Sequence, residues 1–309
     1  MERHDVIVIG GGPAGLSAAR RLRELGVKDV LVLEREAEAG GIPRHCGHSG
    51  FGWQSHRRNW TGPRFAAELR KSVSGIDVRS GTSVLELKKD GVISARNHAG
   101  HLDLRARAVL IATGARETPR AQRFVGGTRP RGVMNAGALQ QHVYLKHHKP
   151  FERPVIVGSE WVSFSVLLTC RHMGIRPVAM IEQNARIAVP RPGAWVSKLW
   201  YRVPVMTNAK LVAVEGVRQV EAVEVERHGK RERIACDGVV FTGGFRPENA
   251  LYMTGTFDSE ELSPKVDQGF RCTDPAYFAA GNVLGPLKTS GVCWLQGRAA
   301  AEAIARSLA

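Results

Sequence analysis

A glycine run set between two apolar segments constrains this chain more than any other feature. Val6-Ile7-Val8-Ile9 is continuously apolar and of strand length, and it runs into Gly10-Gly11-Gly12-Pro13-Ala14-Gly15 and a helical stretch from Leu16 to Leu25. A second apolar run, Val30 to Leu33, ends in Glu34. Strand, G-x-G-x-x-G turn, helix, strand and terminal acid are the parts of a dinucleotide-binding βαβ unit. Gly10 permits the tight turn, Gly12 lets backbone approach a pyrophosphate, and Gly15 lets the helix pack close to the strand. Pro13 and Ala14 open that helix, whose N-terminus favours negative charge. Glu34 lies about 20 residues past the glycines, where an acid accepts hydrogen bonds from a ribose diol.

Composition narrows the setting. The 309 residues are 43% hydrophobic, enough for two ordinary cores. The five cysteines, Cys46, Cys170, Cys236, Cys272 and Cys293, are odd in number and widely spaced, with no CxxC. That usage predicts a reducing, cytoplasmic setting rather than a disulfide framework. The stretch Val6 to Ala19 is a βα unit rather than a signal peptide, and no apolar run reaches the ~20 residues of a membrane span. A net charge of +15 is read first as a basic solvated surface, with docking to an anionic partner as the secondary reading. The basic residues are scattered, so nucleic acid is not expected and any membrane contact is at most peripheral.

The order of segments predicts a domain inside a domain. A helix is expected from Gly62 to Lys71. A β-meander follows over Asp77 to Arg79, Ser83 to Lys88, Gly91 to Asn97 and His101 to Arg105, and then a buried strand at Ala108 to Ala112. A second βαβ pattern begins at Pro154 to Val157, continues through Gly158-Ser159-Glu160 and a helix to His172, and ends at Pro177 to Ile181 with Glu182. A second meander spans Leu211 to Ile234, with a strand at Gly238 to Phe241. The chain then returns to the first theme with Tyr277 to Asn282 and a final helix, Val292 to Leu308. The fold class is α/β, with two Rossmann-like dinucleotide-binding domains of three-layer ββα type, the second inserted into the first. The expected boundaries are 1–117 with 244–309 for the first domain and 118–243 for the second.

Four motifs stand together in order: GGGPAG with Glu34, VLIATGA at Val109 to Ala115, VVFTGGFRP at Val239 to Pro247, and TDPAYFAAGN at Thr273 to Asn282. They resemble the two-dinucleotide-binding flavoproteins of the pyridine nucleotide-disulfide oxidoreductase superfamily, of which thioredoxin reductase is the compact type. The resemblance implies FAD, held by Gly10, Gly12, Pro13, Ala14, Gly15, Glu34, Arg35, Gly41, Ile42, Ala112, Thr113, Gly114, Gly281, Asn282, Gly291 and Val292. The family's late acidic residue is Asn282 here, which keeps hydrogen-bonding capacity without charge. The N-terminus of the final helix, at Gly291 and Val292, is expected to direct its positive dipole at the flavin.

Two departures shape the functional reading. The redox cysteine pairs of the superfamily are missing, so disulfide reduction is not expected. In the second fingerprint, Gly158 to Ser163, Glu160 replaces the close-approach glycine. A carboxylate about 5 Å from a pyrophosphate charge costs on the order of 3 kcal/mol at an effective dielectric of 20, roughly a hundredfold in affinity. The second nucleotide site, Gly158, Glu160, Ser163 and Glu182, is therefore expected to be degenerate, and NAD(P) is not expected as a cofactor.

A narrower resemblance rests on GGIPRHCGHSGFGWQ (Gly40 to Gln54), TGPRFAAEL (Thr61 to Leu69), TGARETPR (Thr113 to Arg120), GTRPRGVMNAGALQ (Gly127 to Gln140) and VSFSVLLTCRHMGIRPVAMIE (Val162 to Glu182). These are similar to the larger FAD subunit of opine oxidases, hydroxyproline dehydrogenases and hydrogen cyanide synthase. The resemblance implies a subunit of a hetero-oligomeric amine or amino-acid dehydrogenase, acting on CH-NH or CH-NH2 donors. Its partners would be a second flavoprotein subunit and, because no cysteine-rich segment follows, a separate small iron–sulfur subunit. The alternatives are a stand-alone NAD(P)H-dependent flavin or ferredoxin reductase and a non-catalytic nucleotide-binding scaffold. No catalytic residue stands out. His45, Cys46 and His48 have metal-binding side chains but no completing cluster, so no metal is expected. The stretch His45 to Trp60, with Phe51, Trp53, His56, Arg57 and Arg58, either covers the FAD pocket or meets a partner.

Overall fold

The computed structural model describes residues 1–189, 202–253 and 264–309. The chain divides into two compact units. One comprises Met1–Arg44, Ser49–Arg116 and Arg246–Ala309; the other comprises His45–His48 and Glu117–Phe245.

In the first unit, β1 (Glu2–Ile9), α1 (Pro13–Glu24) and β2 (Val30–Leu33) form the expected opening βαβ. A small two-stranded sheet, β3 (Ser49–Phe51) with β4 (Trp60–Thr61), encloses the single turn α2 (Trp53–His56). After α3 (Gly62–Ser72) come β5 (Asp77–Arg79), β6 (Ser83–Lys88), β7 (Val92–Asn97), β8 (Gly100–Ile111) and β9 (Ala115–Glu117). Strand β1 pairs in parallel with β2 on one side and β8 on the other. A strand covered on both faces must be apolar on both, which is why Val6 to Ile9 do not alternate with polar residues. Their side chains still alternate between two cores. Val6 and Val8 pack with Leu16, Leu22, Phe65 and Leu69 beneath the helices, while Ile7 and Ile9 pack with Leu87, Ile93 and Leu104 beneath the meander.

Two strands differ from the sequence expectation. Asp77–Arg79 does not belong to the meander; it pairs in parallel with β2. His101–Arg105 and Ala108–Ala112 are not separate, since β8 runs unbroken over both. Its first half pairs antiparallel with β7 from Asn97↔Gly100 to Val92↔Arg105, and its second half pairs in parallel with β1. No glycine or proline interrupts the run between Leu102 and Ile111, so nothing in the backbone turns it.

The second unit repeats the plan. It contains β10 (Gly126–Gly127), β11 (Val133–Asn135), α4 (Ala136–Tyr144), β12 (Pro154–Val157), α5 (Trp161–His172), β13 (Ala179–Ile181), β14 (Val205–Met206), β15 (Ala209–Glu215), β16 (Ala222–Arg227), β17 (Lys230–Ala235) and β18 (Gly238–Phe241). A parallel sheet runs in the order β11-β18-β12-β13-β14, and a second sheet runs β10-β15-β16-β17. Two cores again sandwich the parallel sheet. Ile156, Met180 and Val240 face α4 and α5, whereas Val155, Ile181, Val239 and Phe241 face the meander.

The chain then returns to the first unit through β19 (Phe245–Pro247) and α6 (Ala250–Met253). Strand β20 (Tyr277–Ala279) completes the first sheet by pairing in parallel with β8, and α7 (Ser290–Leu308) packs against α1. The returning strand is anchored by Tyr277. Its ring is fully buried, and its hydroxyl donates to the carbonyls of Lys88 and Val92, at 2.5 and 3.1 Å, in the turn between β6 and β7. Tyr277→Phe is expected to lower the free energy of unfolding by about 1–2 kcal/mol, because two partly buried carbonyls lose their donor. Denaturant titration of the two proteins measures this.

Candidate functional site

The glycine turn of the first unit is held by contacts that only glycine allows. Gly10 has φ +106°, and a Cβ there would lie 2.5 Å from the Ala112 carbonyl oxygen. At Gly15 a Cβ would lie 1.9 Å from the Gly10 carbonyl oxygen, so α1 rests directly on the turn. Gly12 is different. A Cβ there would meet only the Gly41 Cα, at 3.9 Å, so the missing side chain leaves open space above the first turn of α1. Gly12 is the N-cap, Pro13 begins the helix, and neither a side-chain cap nor an acid occupies the first turn. The uncapped N–H groups of this turn suit an anion.

Glu34 is buried and already positioned. Its Oε2 accepts from the Gly11 N–H at 2.8 Å, and its Oε1 accepts from the Glu36 N–H at 2.8 Å. Each carboxylate oxygen retains a further lone pair for a hydroxyl. The other residues expected from the sequence gather at the same sheet edge. Gly41 (φ +62°) packs on Gly12, Ala112 packs on Gly10, and Gly281 (φ +84°) packs on Ala14. The Thr113 hydroxyl donates to the Glu248 carbonyl at 2.6 Å, and the Gly114 carbonyl accepts from the Glu248 N–H. Arg35 and Ile42 are exposed. Asn282 braces a loop: its Oδ1 accepts from the Lys288 N–H at 2.7 Å and its Nδ2 donates to the Lys288 carbonyl at 3.1 Å.

Gln54 was not singled out from the sequence. A Cβ on Gly291 would lie 2.0 Å from the Gln54 Oε1, and the Thr289 hydroxyl donates to that same oxygen at 3.2 Å. Gln54 thus lies on the N-terminus of α7, the helix end whose Val292 N–H bonds the Thr289 side chain. Its position is set by α2, a turn too short to show periodicity. Of the tryptophans nearby, Trp53 is exposed, whereas Trp60 and Trp294 pack against the helix-side core. Cys293 is buried in that core.

In the second unit the matching turn keeps its acid. Glu182 is buried; its Oε1 accepts from the Asn184 N–H and Nδ2, both at 2.8 Å, and its Oε2 accepts from the Ser159 hydroxyl. Gly158 has φ +120°. The Glu160 side chain is turned toward the end of β18, where its Oε2 accepts from the Thr242 hydroxyl at 2.9 Å and the Ser163 hydroxyl at 3.1 Å.

A further group in the second unit involves the segment weighed as a metal site. Cys46 donates to the Gln140 Oε1 at 3.6 Å, and a Cβ on Gly47 would lie 2.1 Å from the Tyr144 ring, so 45–48 clips onto α4. Among the described residues no three His, Cys, Asp or Glu side chains are grouped to hold a metal ion. Glu117 lies beneath the first turn of α4, with its Oε2 accepting from the Gly137 N–H at 2.8 Å and its Oε1 buried without a partner. Burial pushes its carboxyl up to about 7, against the pull of the helix N–H groups and the Arg123 guanidinium. A lone Glu in a TGARETPR run gives no sign of this, since burial is a tertiary property. All five cysteines are free and buried. Burial pushes the Cys46, Cys170 and Cys272 thiols up to about 12 and Cys236 to about 11. These are not activated thiolates.

Two ββα units, each with its own glycine turn and acid, define a two-dinucleotide-binding flavoprotein. The chain belongs to the pyridine nucleotide-disulphide oxidoreductase family, whose model matches residues 4–303, and it is an FAD-binding oxidoreductase of that kind. Among curated proteins it is similar to the sarcosine oxidase subunit alpha of Rhizobium meliloti, 26% identical over 98% of this chain but only 30% of that protein's length. Among solved structures it is similar to the thioredoxin reductase of T. acidophilum, with a TM-score of 0.82, 21% identity and 99% of each chain covered. It is also similar to an NAD-dependent persulfide reductase from A. fulgidus, with a TM-score of 0.75 and 21% identity over 97% of this chain and 59% of that one. No helix among the described residues is long and apolar enough to cross a membrane.

These findings correct one expectation. NAD(P) is not to be set aside on account of Glu160. The family model, that of the pyridine nucleotide-disulphide oxidoreductases, spans both units, and the similar solved structures include an NAD-dependent reductase. The electrostatic objection assumed a free carboxylate over the turn, whereas Glu160 is hydrogen-bonded to Thr242 and Ser163.

The Glu117 carboxyl makes stability depend on pH. Its folded pKa, about 7, lies above the unfolded value of 4.5, so the fold favours the protonated form. That contribution is complete below pH 4.5 and is lost as pH rises through 7, an effect on the order of 3 kcal/mol. Glu117→Gln is expected to flatten this part of the stability profile between pH 4.5 and 7.5, as followed by urea unfolding at a series of pH values.

Proposed function

We propose that this chain is an NAD(P)H-dependent flavoprotein reductase that passes electrons to an acceptor other than a disulfide. The first unit holds FAD and the second takes the nicotinamide dinucleotide. The observation that most supports the reading is the duplication itself: in both units the acid after the second strand is buried and fixed at the glycine turn, Glu34 through Gly11 and Glu182 through Ser159. The residues present fit FAD. Gly10, Gly12 and Gly15 shape the turn, and the uncapped N–H groups of Ala14 and Gly15 in the first turn of α1 would serve the pyrophosphate. Glu34 and Arg35 serve the adenosine ribose. Gly41, Ile42 and Ala112 to Gly114 line the approach, Gly281 and Asn282 meet the ribityl chain, and Gly291 and Val292 present the helix dipole. Bound FAD supplies hydride exchange with the nicotinamide. Gly158 and Ser163 would shape the second turn for a dinucleotide, and Glu182 would accept from its ribose hydroxyls.

A second reading rests on the similarity to sarcosine oxidase subunit alpha, which extends over nearly all of this chain. In that reading the chain is one subunit of a hetero-oligomeric amine or amino-acid dehydrogenase, completed by another flavoprotein subunit and an iron–sulfur subunit. Anaerobic stopped-flow mixing separates the two. The purified flavoprotein is expected to bleach with NADH or NADPH, and Glu182→Ala is expected to raise the coenzyme concentration needed by about tenfold or more. Gly12→Glu is expected to purify without flavin. A flavin-loaded protein that neither coenzyme bleaches would overturn the proposal, and bleaching by sarcosine or an opine only after a partner chain is added would establish the second reading.

A further inference from the structure

The second unit carries an exposed basic and apolar edge that no nucleotide site uses. Its first part is the segment 118–132, which contains Arg120, Arg123, Arg129 and Arg131 and no acid. Its second part is the turn 216–219, with Arg218. The two run side by side along the edge strand β10: Gly126 and Gly127 pair with Ala213 and Val214, the Thr128 hydroxyl donates to the Gly216 carbonyl at 2.6 Å, and the Arg131 N–H donates to the Arg218 carbonyl at 3.0 Å. Two large apolar side chains stand out from this edge. Phe124 is 94% exposed and Val217 is 87% exposed, the two most exposed large hydrophobics among the described residues. Phe124 also has φ +54°, a left-handed conformation that a bulky side chain rarely adopts.

The charges around them are unbalanced. Arg120 is committed to its own loop, donating to the carbonyls of Val125, Gly126 and Thr128. Burial and the neighbouring Arg129 charge lower its pKa. Arg123 turns inward, donating to the Thr118 and Gly243 carbonyls within reach of the Glu117 and Glu160 charges, whereas among the described residues Arg129, Arg131 and Arg218 are exposed and form no ion pair. The nearby acid Glu215 is paired with Arg233, and Glu224 on β16 is paired with Arg231. Protruding apolar side chains on an edge rich in arginine fit a surface that is both anionic and penetrable.

We propose that this edge of the second unit docks peripherally on an anionic lipid surface, with Phe124 and Val217 inserting between headgroups and Arg129, Arg131 and Arg218 pairing with phosphates. The net charge of +15 draws the whole chain to such a surface, and the apolar pair fixes which edge meets it.

The test is co-sedimentation of the full flavin-loaded chain with vesicles of phosphatidylcholine alone and of an equal mixture with phosphatidylglycerol, at low and near-physiological salt. The wild type is expected to bind the mixed vesicles only, and less at higher salt. Phe124→Ser and Val217→Ser, both at exposed sites, are expected to lower partitioning several-fold at unchanged flavin content. Arg129→Glu is expected to lower it roughly fivefold or more. Lys230→Glu makes the same change in charge on β17, the opposite edge of the same sheet, and is expected to change it little. The proposal is overturned if the mixed vesicles are not bound, including the case in which the edge binds only an acidic protein. It is equally overturned if Phe124→Ser binds like the wild type, or if Lys230→Glu loses as much as Arg129→Glu, since either shows general attraction of a basic protein.

Discussion

The first unit is built from distant parts of the chain, and its closure depends on the approach of α1 to α7. That approach is governed by a missing side chain. A Cβ on Gly297 would lie 2.0 Å from the Ala14 carbonyl oxygen and 2.4 Å from the Ser17 hydroxyl, so the helices meet backbone to backbone. The Ser17 hydroxyl donates to the Trp294 carbonyl at 2.8 Å, and Arg21 pairs with Glu302 further along. Ala14 also lies in the first turn of the helix that opens over the Gly12 cleft, and Ser17 lies just beyond it. One helix therefore carries both the seam that joins the two ends of the unit and the anion-binding terminus. An insertion as large as the second unit is tolerated because the returning segment has this groove and the free edge of β8 to occupy.

Much of this was legible in the sequence, for identifiable reasons. The parallel strands are short, apolar on both faces and bounded by glycine, so Val6 to Leu33 and Pro154 to Glu182 announce themselves. Both glycine turns and both acids follow from spacing. The edges of the meanders were harder. Asp77–Arg79 has the composition of an exposed strand, and only its partner, β2, shows that it extends the parallel sheet. Strand β8 changes partners midway, and its alternating first half and apolar second half read as two strands because they face different neighbours.

The site residues missed from the sequence are those whose chemistry is created by packing. Gln54 gains significance only because Gly291 leaves room for its amide oxygen. Glu117 is one acid among many until burial holds its carboxyl near neutrality beneath α4. Glu160 teaches the converse. Read as a residue type at a fixed position, it forbids a phosphate; in the fold it has two hydroxyl donors and a direction. Charge arguments from sequence count ions, whereas the structure determines where each ion points.

The fixing of Glu34 has a consequence for association. A glutamate on a surface loop surrenders rotamer freedom when a ligand immobilises it, a loss of about 0.5–1.5 kcal/mol for each such side chain. Here the Gly11 and Glu36 N–H groups hold the carboxylate before any ribose arrives. Those donors belong to the turn and to the loop after β2, so the ordering is completed during folding. A diol that reaches Glu34 meets an acceptor whose entropy has already been spent.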